Sequence, residues 1–186
     1  MNPFFQPSTL PYELPPFADI EDEHYLPAFE KGFEEQLAEV SNITRRRDVP
    51  TFENTMIPLE QSGQTLTRVA RVFYNKSSSD SSDFTNDLEE QIAPLMAAHE
   101  DAIKLDSQLY RRIKTIHEQL DSLKLTAEQR YLVVRYYTEL TLAGAGLDDE
   151  QKERLKDYNQ KLSTLTTRFE KNLLADTNDL AVIIDD

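Results

Sequence analysis

Apolar residues recur three or four positions apart along most of the chain, the spacing that gathers them on one face of an α-helix. The longest such run covers Asp148 to Ala175. There Leu155, Tyr158, Leu162, Leu165, Phe169 and Leu173 alternate with charged and amide residues. Asp148 and Gln151 read as its capping box, and Asp149 and Glu150 suit the positive end of the helix dipole. About 28 residues at 1.5 Å each would extend roughly 42 Å, so this run is expected to be a spine against which shorter helices pack.

Five shorter helices are predicted ahead of it. The first starts at Pro27, carries Phe29, Phe33, Leu37, Val40 and Ile43, and reaches about Arg46, where Arg45, Arg46 and Arg47 suit a solvated end. Thr51 caps a second, with Phe52, Met56, Leu59, Gly63, Leu66, Val69, Ala70 and Phe73 inward as far as Asn75 and Pro58 expected to kink it. Lys76 to Asp83 reads as a flexible polar loop. A third helix runs from about Thr85 to Leu105, with a bend at Pro94, and Asp106 caps a fourth carrying Leu109, Tyr110, Ile113, Ile116 and Leu120. Thr126 and Gln129 box the fifth, and Gly144 and Gly146 end it.

The two ends read differently. Residues 1–17 hold Pro3, Pro7, Pro11, Pro15 and Pro16, so no helix is expected; with Phe4, Phe5, Leu10, Tyr12, Leu14 and Phe17 among them, they form an extended arm lying on the bundle or on another domain. Past the long helix, Asp176 to Asp179 reads as a turn, and Leu180 to Ile184 has the composition of a buried strand. A lone strand needs a neighbour to pair with, which implies that residues 177–186 begin a connection into something larger.

Composition narrows the class. With 39% hydrophobic and 29% charged residues and only 4 Gly, the chain suits amphipathic helices rather than sheet. The fold class is therefore all-α: an antiparallel bundle of about six helices with a Pro-rich arm and a short strand-like tail, one helical domain over 1–186 with its helices in 18–176. A net charge of −14 disfavours nucleic acid and anionic membrane surfaces as partners. No cysteine is present, which removes disulfides and thiol chemistry. Neither a secretory signal nor an apolar run long enough to span a bilayer is read.

Candidate chemistry is sparse. Histidines stand only at His24, His99 and His117. His99-Glu100 and His117-Glu118 begin like the zinc motif His-Glu-x-x-His, but Ile103 and Asp121 occupy the position of its second histidine. Both are expected in surface or capping roles. The serines at 77–79, 81 and 82 lack a nucleophile-elbow pattern, and Glu21-x-x-His24 occurs once, ahead of the first helix. Tyr131, Tyr136 and Tyr137 make the densest aromatic patch, with one side for the core and another for a groove. No catalytic, cofactor-binding or metal residue is assigned.

Several strings carry a resemblance: Asn2-Pro3-Phe4, Leu10-Pro11-Tyr12, His24 to Phe29, Phe52 to Thr55, Leu59 to Gly63 followed by Leu66 to Val69, and more weakly Leu142 to Ala145. In order and spacing they resemble the amino-terminal part of the peptidyl-dipeptidases of the thimet oligopeptidase family of zinc metallopeptidases. That family's zinc motif and downstream glutamate lie later than any position matched here, so the resemblance assigns no site residue. It implies a non-catalytic domain that forms one wall of a channel admitting short peptides. Its partner would be the catalytic region of the same polypeptide, which would hold the zinc and release carboxyl-terminal dipeptides in the cytoplasm. A free-standing helical interaction module without enzymatic activity is the alternative.

Overall fold

A computed structural model describes residues 2–180, and among these the secondary structure is helical with no strand. The elements are α1 (Tyr25–Thr44), a π-helical turn (Phe52–Met56) leading into α2 (Ile57–Gln61), α3 (Gln64–Ser79), α4 (Asp83–Lys104), α5 (Ser107–Glu118), α6 (Ala127–Ala143) and α7 (Asp149–Asp179). The local signals act where they stand. Thr51, Asp106, Thr126 and Asp148 each accept a backbone N–H two or three residues on. Gly144 ends α6 at φ 100° with Ala145 N–H donating back to the Leu140 carbonyl.

The apolar side chains close two separate cores, and α1 serves both. Its amino-terminal half gives Tyr25, Ala28 and Phe29 to a core shared with Phe4 of the arm, Val69 and Phe73 of α3, and Leu88 and Ile92 of α4. Its carboxyl-terminal half gives Val40 and Ile43 to a second core built with Phe52, Met56, Leu109, Ile113, Ile116, Val133 and Leu140. Between the halves the inward positions turn polar: Gln36 donates to Ser62 Oγ at 3.5 Å, and Glu39 accepts the Gly63 N–H at 2.8 Å. Leu37, expected in the stripe, is exposed.

α1 and α3 run antiparallel in near-backbone contact. A Cβ on Gly32 would lie 2.8 Å from Leu66 Cα and 2.9 Å from its N. The chain reverses between them at Gly63, in the left-handed conformation at φ 74°. Here the expected second helix divides. Pro58 falls in the first turn of α2, where its missing N–H costs nothing, so the break comes at Ser62-Gly63 instead.

Arg112 fastens the second core to the irregular stretch after α1. Only 6% exposed, it donates through Nε to Thr55 Oγ1 (3.2 Å), through Nη1 to the carbonyls of Arg46 (3.1 Å) and Asp48 (3.3 Å), and through Nη2 to Asn54 Oδ1 (2.8 Å). Asn54 Oδ1 also accepts the Thr51 N–H, so the guanidinium locks that capping box in place.

Four further expectations are corrected. The α3 helix continues through Ser79 instead of dissolving at Lys76, and Ser78 and Ser79 keep their hydroxyls on the carbonyls of Tyr74 and Asn75. The arm takes 3-10 turns at Pro3–Phe5 and Phe17–Asp19 and a tight turn at residues 10–13 in which Tyr12 is left-handed at φ 59°; each follows or contains a proline, whose fixed φ suits a first position. Asp176 to Asp179 is the last turn of α7, not a break. And α7 is not the spine. Its stripe is open to solvent, with Tyr158 at 60%, Leu162 at 61%, Leu165 at 60% and Phe169 at 67% exposure, whereas α1 is the helix that two cores share. The strand-like reading of Leu180 to Ile184 lies outside the described residues from 181 onward.

Two substitutions test this packing. Gly32→Ala is expected to lower stability by about 1–3 kcal/mol, since the Leu66 backbone must be pushed away; urea unfolding of the two proteins reads it. Arg112→Met strips the Thr55, Asn54 and carbonyl acceptors of their donor and should cost about 3 kcal/mol or more. Arg112→Lys should recover only part of that, because an ammonium cannot reproduce the planar fork.

Candidate functional site

The polar waist between the cores is where titratable groups gather. A cavity of about 310 Å³ opens there, lined by Gln36, Ser62, Met96, His99, Glu100 and Tyr136 among others. His99 falls on the inward stripe of α4 behind Ile92 and is buried, which corrects its expected surface role. Its ring lies against Phe33 with centroids 4.9 Å apart. Its Nε2 stands 2.7 Å from Gln36 Oε1, which makes Nε2 the donor and leaves Nδ1 unprotonated. Buried Nδ1 finds no hydrogen-bond partner among the described residues. Desolvation accordingly lowers the His99 pKa, with Glu100 opposing.

The other members of the waist are equally committed. The Tyr136 phenol donates a short bond to the Glu60 carboxylate; burial first, then that bond, raises its pKa and keeps it a donor. Ser62 Oγ donates to the Leu59 carbonyl at 2.7 Å. A nucleophile would need that hydroxyl facing the histidine, yet His99 Nε2 faces Gln36. The arrangement holds α1, α2 and α4 in register and offers no proton path from serine to imidazole.

The remaining histidines sit on other elements. His24 Nδ1 accepts the Glu21 N–H at 2.9 Å, a capping role. His117 stacks on Tyr137, centroids 4.0 Å apart. Zinc, implied by the resemblance, therefore finds no fitting donors in these three imidazoles: one ring is engaged in a cap, one is buried on Gln36, and one is stacked on a tyrosine. The tyrosine patch divides, with Tyr136 and Tyr137 packed on the second core and Tyr131 exposed.

A second candidate is a surface. α7 runs antiparallel along α4 and meets the body with polar residues: Lys152 donates to Ser107 Oγ (2.5 Å), Asn159 to Asp101 Oδ1 (2.8 Å) and Lys171 to Glu90 Oε2 (2.9 Å). Burial raises the pKa of Asp101, partly offset by the Asn159 bond. Sequence reasoning passed over Lys152, Asn159 and Lys171 because they are polar. Lys152 and Asn159, seven residues apart, fall on one face of the helix, and that spacing was the available signal.

Over all 186 residues the chain is 37% identical to dipeptidyl carboxypeptidase of Escherichia coli strain K12, and over 185 residues 37% identical to dipeptidyl carboxypeptidase of Salmonella typhimurium strain LT2. Oligopeptidase A of Escherichia coli is 26% identical over 168 residues, 90% of the chain. The chain spans 27% of the length of the two dipeptidyl carboxypeptidases. No family model matches it. The resemblance carried by the residue strings is thus a similarity along the entire chain. No helix among the described residues is long and apolar enough to cross a membrane.

The buried imidazole gives a pH signature. A histidine whose folded pKa is depressed resists the proton that the unfolded chain takes up near its ordinary value of 6.5, so stability is fully present above that value and falls as the pH drops below it. Between about pH 7.5 and about pH 5.5, the urea midpoint of the natural chain should fall further than that of His99→Met. Equal falls would place the imidazole in water.

Proposed function

We propose that this chain is the non-catalytic amino-terminal helical domain of a zinc metallopeptidase that releases dipeptides from the carboxyl ends of peptides. The observation that carries the reading is the 37% identity along the whole chain to two dipeptidyl carboxypeptidases, of which it spans 27%. In this reading residues 1–186 form one domain, with 1–17 an arm, the helices reaching Asp179 rather than 176, and the residues after Asp179 the start of a connection to a catalytic region. That region holds the zinc and does the hydrolysis, in the cytoplasm.

The domain contributes shape. Two rigid cores braced by a polar waist give a wall that does not yield when a substrate presses on it. A wall of this kind, facing the catalytic region across a channel, admits short or unstructured peptides and turns folded proteins away. Its ligands are the catalytic region and short peptides, neither nucleic acid nor membrane.

The test is a dipeptide-release assay on two proteins: the polypeptide encoded by the full natural reading frame, and residues 1–186 alone. The longer protein is expected to release carboxyl-terminal dipeptides and to lose that activity to a zinc chelator; the 186-residue chain is expected to release none. A reading frame that closes near Asp186, or metal-dependent release by the 186-residue chain itself, overturns the proposal.

A further inference from the structure

The apolar seam of α7 is spaced as a coiled-coil seam is. Leu155, Tyr158, Leu162, Leu165 and Phe169 follow one another at alternating steps of three and four, the repeat that lets a second helix lie alongside with knobs in holes. In a surface helix of a closed domain this stripe faces the core and the polar side faces water. Here the order is inverted. Lys152, Asn159 and Lys171 bond to α4 and α5, while Tyr158, Leu162, Leu165 and Phe169 stand in solvent and Leu155 at the head of the seam is half-buried.

Charge marks one edge of the seam. Arg154, Lys161 and Arg168 recur every seven residues along it, on a chain whose net charge is −14. Lys161 pairs with Asp157 at 2.6 Å, while Arg154 and Arg168 form no ion pair among the described residues. A second copy of this chain fits poorly. Antiparallel pairing would set the basic rows against each other, and parallel pairing would need the edge carrying Asn159, which is turned into the body and bonded to Asp101.

We infer that the seam of α7 is the docking face for one amphipathic helix from the part of the peptidase polypeptide that the relatives carry and these 186 residues do not, a helix with an apolar stripe of its own and acidic residues along the edge that meets Arg154, Lys161 and Arg168. The source follows from size, because the relatives hold about three times as much chain again beyond the 27% matched here. The sign of the edge follows from charge complementarity, which fixes partner and register. This inference rests on the peptidase reading above.

Because the chain has no cysteine, thiol labelling at single introduced positions tests it. Leu165→Cys places a thiol in the seam, and Gln160→Cys places one at an exposed position on the other side of the helix. Both should react with a maleimide at similar rates in the 186-residue protein. In the full natural polypeptide, with the modified peptide read by mass spectrometry, Leu165→Cys should react at least tenfold more slowly and Gln160→Cys at an unchanged rate. Adding Arg154→Glu, Lys161→Glu and Arg168→Glu should restore several-fold of the lost reactivity.

Equal rates at position 165 in both proteins overturn the inference. So does slowing in the 186-residue protein that grows with its concentration, which would make a second copy the occupant. No response to the charge reversals overturns the acidic edge. Dipeptide release by the same full polypeptide is read separately, so an open seam on an active enzyme sinks this inference alone. An inactive polypeptide sinks the peptidase reading instead.

Discussion

One helix must fill two cores, and most of the architecture answers that demand. α1 is 20 residues long, about 30 Å at the usual rise, and neither core reaches along all of it. Its middle, between the two, carries the polar Gln36 and Glu39. Gln36 and Glu39 supply that polarity without leaving acceptors idle, since the first meets His99 and Ser62 and the second takes the Gly63 amide. The same amide belongs to the residue at which α2 gives way to α3. Holding the waist thus also fixes the turn that brings α3 back against α1.

Arg112 solves the matching problem at the far end. After Thr44 the chain leaves α1 and crosses to Thr51 without regular structure, exposing carbonyls that a helix would have satisfied internally. A guanidinium carries five donors in a rigid plane, and here they reach two of those carbonyls and the Thr51–Asn54 cap at once. A buried charge of this kind is costly in isolation. It is tolerated because Asp48 stands 3.7 Å away and every face of the fork has an acceptor.

Capping residues were legible in the sequence because they act over three or four positions, so Thr51, Asp106, Thr126, Asp148 and Gly144 could be placed without knowing the fold. Stripes were legible as stripes. What covers a stripe was not, since Leu162 and Phe169 keep the same spacing whether their own domain or another surface lies over them. Arg112 and His99 show the complementary blind spot. Arg112 sits three residues after Leu109 and four before Ile116, inside the inward face, and His99 lies four before Ile103 in the same way. Reading polar residues as outward by type hid both, although their register pointed in. The waist was invisible for that reason, being assembled from residues 36, 62, 99 and 136, which no local pattern connects.

The inverted α7 follows from the same physics at a larger scale. Burying a large apolar side chain fully is worth about 1.5–3 kcal/mol, so Tyr158, Leu162, Leu165, Phe169 and Leu173, left mostly open, forgo on the order of 5–10 kcal/mol, comparable with the net stability of a whole domain. Rotating the helix to bury them would bring Lys152, Asn159 and Lys171 out of contact with Ser107, Asp101 and Glu90, whose bonds are worth roughly 1 kcal/mol each. The observed orientation makes sense when the apolar face is bound by something beyond these residues and the polar face is what remains to hold α7 to α4. A helix fastened by a few directional bonds, with its seam kept free, is oriented before any partner arrives, which lowers the ordering cost of binding one.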